Sequence, residues 1–326
     1  MSDQLSLRSG NQLPAIGLGM WKIPNEKCAS LVEEAFAAGY RHFDCACDYG
    51  NERETGDGLR SLIDSGRCGR EELWVTSKLW NTFHRAEHIE TACRKTLDDL
   101  QLEYLDLYLI HFPIALQYVP IEQRYPPGWF FDPEAASPQM RLDRVAIAET
   151  WRGMQKLKQA GLVREIGVCN FNVALLRDLL ATADIPPAVL QVESHPYLTQ
   201  EKLLRFCREE QIAFTAFSPF GALSYHEIGM ADKSDSLLEI ETIRQIANNH
   251  NRSAAQILLR WGVQRQTAVI PKTSRSERLS ENIAIFDFEL TDQEMSAINA
   301  LDQHRRYNDP GVFCEAAFNT FCPIYE

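Results

Sequence analysis

The chain is short of positive charge: 33 Lys and Arg face 45 Asp and Glu, a net charge of −12 over 326 residues. That deficit argues against nucleic acid or an anionic membrane as partner, since either requires a basic face. Nowhere does the sequence approach the ~20 consecutive apolar residues of a membrane-spanning helix. The opening stretch MSDQLSLRSGNQLPAIG lacks the charged and apolar regions of a secretory signal, so a cytoplasmic location is expected. The nine cysteines, an odd number scattered from Cys28 to Cys322, form no spaced disulfide framework. Cys45-x-Cys47 is not the redox spacing, and buried or incidental thiols in a reducing compartment are expected. A third glycine is also missing: Gly17-x-Gly19 continues as Met20-Trp21-Lys22, without the G-x-G-x-x-G turn of an open dinucleotide-binding sheet.

What the chain does contain is an alternation of short apolar runs and amphipathic stretches. The runs predict eight strands: 15–19, 42–45, 73–77, 105–110, 165–168, 189–192, 213–216 and 267–270. Helices are expected between them, over 25–38, 86–100, 145–160 and 201–210 among others, with Gly39 and Gly161 as stops. Eight βα units in one domain over 1–326 predict an α/β fold, a (β/α)8 TIM barrel. Two long connections, Pro113 to Asp143 and Ser218 to Ser236, follow strands and therefore belong to the barrel's C-terminal face, where binding loops gather. The tail after Leu301 shows no periodicity but carries Tyr307, Phe313, Phe318, Phe321 and Tyr325, and is expected to cover the same mouth.

Four polar residues stand at or just past strand ends: Asp44, Tyr49, Lys78 and His111. Adjacent strands lie ~5 Å apart, so the four can converge above the barrel. A tyrosine hydroxyl with a pKa of ~10 is a weak proton donor at neutral pH. An ammonium ~4 Å away, worth ~4 kcal/mol at an effective dielectric of ~20, would lower it, and Lys78 is placed to do so. Asp44 would keep Lys78 charged, and His111 would hold the carbonyl oxygen that receives the proton. No metal is required.

The stretches GLGMWKIP, GYRHFDCACDYGNE, VTSKLWN, LEYLDLYLIHFPIA, REIGVCNF, AVLQVESHPYL, FSPFG and AVIPKTSRSERLSEN resemble the aldo-keto reductases, in particular the xylose (aldose) reductases and plant aldose-6-phosphate reductases. The resemblance implies that Asp44, Tyr49, Lys78 and His111 form the catalytic tetrad, with hydride passing from NADPH or NADH to an aldehyde carbon. It also implies cofactor contacts at Asn170, Gln191, Phe217 under the nicotinamide, and Ser218 to Gly221, Phe220 among them, near the pyrophosphate. Phe217 departs from the family's usual tyrosine, which keeps stacking and loses a hydroxyl. Lys272, Thr273, Ser274 and Arg275, with Arg278 and Asn282, precede or open a helix where donors and cations can grip a phosphate. They resemble the adenosine 2′-phosphate site, so NADPH is the expected cofactor and NADH the second.

Trp21, Trp80 and Phe112 resemble the family's pocket walls, and Asp48 and Asn308 its partners for sugar hydroxyls; core packing and turn capping are the alternative readings. Arg305 and Arg306 are either receptors for a sugar phosphate or solvated. His84-Arg85-Ala86-Glu87-His88 fits a zinc spacing, but helix-surface polarity explains it without a metal. The expectation is a monomeric or homodimeric reductase of a small carbonyl compound, an aldose, an aldose 6-phosphate or another aldehyde or ketone. A cofactor-binding sensor and a Schiff-base aldolase using Lys78 are the competing classes.

Overall fold

The computed structural model describes residues 3–326, with Lys233 defined in its backbone alone. An N-terminal hairpin, β1 (Gln4–Ser6) and β2 (Gln12–Pro14), pairs antiparallel. Eight further strands follow: β3 (Leu18–Gly19), β4 (His42–Asp44), β5 (Trp74–Leu79), β6 (Leu105–Ile110), β7 (Val163–Cys169), β8 (Val189–Glu193), β9 (Ala213–Phe217) and β10 (Thr267–Ile270). They neighbour one another in sequence order, β3 to β10, with parallel registers such as Lys78 opposite Leu109 and Ala216 opposite Val269. The last strand meets the first, as Val269 bridges Ile16 in parallel and accepts from Gly17 N–H at 2.9 Å. This is the (β/α)8 barrel expected from the alternation of apolar runs.

Every residue of β5, β6, β8 and β10 is buried, because a barrel strand is covered by helices outside and by layered side chains inside. Gly167 in β7 sits where a Cβ would lie 2.3 Å from the Val189 carbonyl oxygen, so this register admits no side chain. Helices Asn25–Ala38 and Ala86–Leu100 have the expected bounds, and Ile147–Gln159 and Glu201–Glu209 fall inside theirs.

Three differences are informative. The hairpin β1–β2 was not anticipated; it borders a groove of about 500 Å³ lined by Leu7, Leu204, Ile212, Phe214 and Val263, at the start of β9. The first barrel strand is reduced to Leu18–Gly19, and β4 ends at Asp44, which leaves Cys45 outside it. Finally, the tail expected to be irregular forms a helix over Pro310–Phe318. Asp309 caps it by accepting from Gly311 N–H, and Pro310 stands at its first position. Its residues are apolar on nearly every side, so no 3.6-residue stripe advertised it.

The chain divides into two compact units, one of residues up to 19, 34–43 and 191–307, the other of 20–33, 44–190 and 308–326. Among the described residues no helix is long and apolar enough to cross a membrane, and all nine cysteines are buried free thiols.

Candidate active site

In the unit that holds β5 to β7, four side chains converge. Asp44 closes β4, Lys78 lies in β5, and His111 follows the last residue of β6. Tyr49 ends a short 3-10 turn, Cys47–Tyr49, after which Gly50 in a left-handed conformation (φ 71°) leads into helix Glu52–Asp64. The Lys78 ammonium donates to Asp44 Oδ1 at 2.6 Å, to the Cys45 carbonyl at 2.8 Å and to the Tyr49 hydroxyl at 3.0 Å. Its three protons are thereby directed to three named oxygens.

Burial is the largest single influence on Lys78 and favours loss of its proton, but the charge and hydrogen bond of Asp44, with smaller contributions from Tyr49 and Cys169, together hold the ammonium above its ordinary pKa. For Tyr49 the expected lowering is not the net result. Burial pushes its pKa up, Lys78 pulls it down, and Asp44 and Asp48 push it up again, leaving the hydroxyl above its usual range. The resting phenol is therefore protonated. Because Lys78 donates to its oxygen, the phenol's own proton is directed elsewhere, and any negative charge developing on that oxygen would meet an ammonium already in place.

His111 lies with its Nδ1 3.1 Å from Asp48 Oδ1, within ion-pair range but off hydrogen-bond alignment. Its ring meets Tyr49 edge to face at 6.0 Å and Trp80 at 5.5 Å, and stacks on Phe112 at 4.9 Å. Trp129 extends this wall, 4.8 Å from Trp80 and 5.3 Å from Phe112, and the tail contributes Phe313 and Phe318 at 5.5 and 5.3 Å from Trp129. Thus Trp80 and Phe112 are brought to the tetrad, and the tail reaches the same wall as expected. Trp21 is half-buried with the Lys22 ammonium 4.7 Å over its ring, and Asn308 is half-buried beside the helix cap Asp309. Asn170, just past β7, takes a left-handed φ of 63° and donates from Nδ2 to the His111 carbonyl at 2.9 Å.

The other unit carries the remaining candidates. Gln191 is buried in β8, and Phe217 ends β9 half-buried. Ser218 shares a hydrogen bond with the Tyr225 hydroxyl at 3.0 Å, and Phe220 packs on a core formed by Leu237, Ile243 and Trp261. Gly221 has φ 60°, and a Cβ there would lie 2.9 Å from Leu237, so the turn needs glycine. After β10, Lys272 and Ser274 are half-buried, Thr273 and Asn282 are buried, and Thr273 Oγ accepts from Arg275 N–H at 3.1 Å. Helix Ser276–Ile283 begins there without a side-chain cap. Arg275 and Arg278 are exposed, with no ion-pair partner among the described residues.

Two alternatives lose support. Arg305 is exposed to solvent, but its guanidinium forks onto Asp235 at 2.7 and 2.6 Å, so it is not a cation left open for a phosphate. Lys78, charged against Asp44, is not the neutral amine that a Schiff base requires. Two residues escaped the sequence reading. Glu52, buried behind the tetrad, accepts from Ser77 at 2.5 Å and Thr96 at 3.1 Å; a carboxylate opening an amphipathic helix reads as exposed. Asp235, in a loop of short 3-10 turns, had no local signal of its partner. The histidines of the zinc-like spacing do other work: His84 is buried, which presses its pKa down to about 4, and His88 stacks on Tyr118 at 3.6 Å. No metal-ligand cluster occurs among the described residues.

Comparison with known proteins identifies the family. The model of the aldo/keto reductase family matches residues 15–303. The NAD(P)H-dependent D-xylose reductase of Pyricularia oryzae is 47% identical over 314 residues, 96% of each chain. The NADPH-dependent aldose reductase of Saccharomyces cerevisiae is 45% identical over 327 residues, 98% of this chain and 100% of that one. The solved aldose reductase of Schistosoma japonicum superposes with a TM-score of 0.87 at 36% identity, covering 100% of this chain and 99% of the other.

Proposed function

Because the chain belongs to the aldo/keto reductase family, we propose that it reduces an aldehyde, an aldose or related sugar aldehyde, to the alcohol with NADPH, NADH being a second donor. The observation that carries this reading is the Lys78 ammonium fixed between Asp44 and the Tyr49 hydroxyl. In this reading bound NADPH supplies a hydride, and everything else is the work of the chain. Tyr49 gives its proton to the carbonyl oxygen, and Lys78, already aligned, stabilises the phenolate oxygen left behind. His111 orients that carbonyl oxygen. Trp21, Trp80 and Phe112 exclude water from the reacting end, and Asp48 and Asn308 bind substrate hydroxyls.

The residues present suit a dinucleotide. Two exposed guanidiniums without ion-pair partners among the described residues, Arg275 and Arg278, stand at an uncapped helix start, which suits a phosphate. With Lys272, Thr273, Ser274 and Asn282 they would hold the adenosine 2′-phosphate. Ser218, Phe220 and Gly221 would line the pyrophosphate, and Asn170, Gln191 and Phe217 the nicotinamide.

NADPH oxidation by the purified protein, followed with xylose, glucose 6-phosphate and aromatic aldehydes, tests the proposal and ranks the substrates. Tyr49→Phe should lower kcat by about 10² to 10⁴, the usual contribution of a positioned general acid. Absence of turnover with every aldehyde, or equal turnover in the variant, rejects it.

A further inference from the structure

We propose that the hydroxyl of Tyr325 is a built-in competitor for the side-chain amide of Asn170, which must be released before a ligand carboxamide can use it. This rests on the reading of Asn170 as a nicotinamide contact.

Asn170 is held firmly. Its backbone is left-handed, and its Nδ2 donates to the His111 carbonyl at 2.9 Å, which fixes the direction in which Oδ1 points. The Tyr325 hydroxyl donates toward that Oδ1 at 3.3 Å and toward the Asn170 backbone carbonyl at 3.4 Å. One proton is shared between two acceptors, and both separations exceed the ~2.5 to 3.0 Å of a good O–H···O bond. Such a contact yields readily to a better donor, and a carboxamide N–H is one.

The segment that carries Tyr325 is anchored before it. Asn319 donates to the Pro138 carbonyl at 2.7 Å, and Met140 N–H donates to the Thr320 hydroxyl at 3.0 Å. Cys322 is buried, and Pro323 lies against Gly311, where a Cβ would come within 3.1 Å. Beyond Pro323, Ile324 and Tyr325 are only half-buried. Displacing the Tyr325 hydroxyl from Asn170 therefore asks only the residues beyond that anchor to move.

NADPH affinity, read from quenching of intrinsic tryptophan fluorescence and not from turnover, tests this in the full chain. Tyr325→Phe should tighten Kd about twofold, the low end for one hydrogen bond, since the contact is long and shared. A chain ending at Cys322 should bind at least as tightly as that variant. In an Asn170→Ala background Tyr325→Phe should change nothing, since the two act through one contact. An unchanged or weaker Kd in Tyr325→Phe overturns the inference; a weaker one would make Tyr325 a clamp on the cofactor. Should Asn170→Ala bind NADPH as tightly as the parent, the reading of Asn170 falls and takes the inference with it. A weakened Asn170→Ala beside an unchanged Tyr325→Phe removes the inference alone.

Discussion

The ammonium of Lys78 donates to the hydroxyl oxygen of Tyr49 at 3.0 Å, and not the reverse. This polarity leaves the phenol its proton to give, and it joins the acid to a buried ion pair, Lys78 with Asp44 at 2.6 Å. The acid is prepared by the fold, which has already placed its counter-charge.

Breaking that pair should be costly to the fold itself. Lys78→Met leaves the Asp44 carboxylate buried without its cation, a loss of about 3 to 5 kcal/mol in the usual range for such removals. Adding Asp44→Asn should restore part of it, because no lone charge then remains. Urea denaturation of the two variants decides the matter; a double variant no more stable than Lys78→Met would contradict the account.

Glu52 gives the protein a specific pH dependence. Burial lifts its pKa from an ordinary 4.5 to about 8, against donors from Ser77 and Thr96 that pull it down. For an acid raised in the folded state, the contribution to stability is fully present below pH 4.5 and is lost as pH rises through about 8. Relative to Glu52→Gln, the parent should therefore lose about 1.4 kcal/mol per pH unit within that window. Denaturation curves of the two proteins that run parallel from pH 5 to 8 would sink this assignment.

Cofactor choice should respond to Arg278. Arg278→Leu is expected to weaken NADPH about tenfold, as loss of a charged hydrogen bond does, while NADH binding stays within about twofold. Raised salt should weaken NADPH more than NADH in the parent. Equal losses for both cofactors would show that Arg278 does not read the 2′-phosphate.

The aromatic wall makes a substrate prediction. Phe318 stacks on Trp129 at 5.3 Å, and Trp129 in turn meets Trp80 and Phe112. Aromatic pairs of this kind add roughly 0.5 to 1.5 kcal/mol each. Phe318→Ala should raise KM for aromatic aldehydes several-fold, with a smaller effect on short polar ones and little on kcat. Steady-state kinetics showing a uniform loss across the panel would place Phe318 outside the pocket.

Much of this protein is local in its sequence. Eight apolar runs, punctuated by glycines such as Gly39 and Gly161, determine the strands and their order, because a buried parallel strand is apolar on both faces. The same runs locate Asp44, Lys78 and His111, since a polar residue at a barrel strand's end has one direction to face. Other features are not local. The helix Pro310–Phe318 lacks a polar face, so no period reveals it. Arg305 finds Asp235 across 70 residues, and Tyr325 finds Asn170 across 155. The acidity of Tyr49 belongs here too: residue types suggest that Lys78 would lower it, yet burial prevails. Desolvation depends on all the atoms packed around a group, and those atoms become neighbours only when the chain folds.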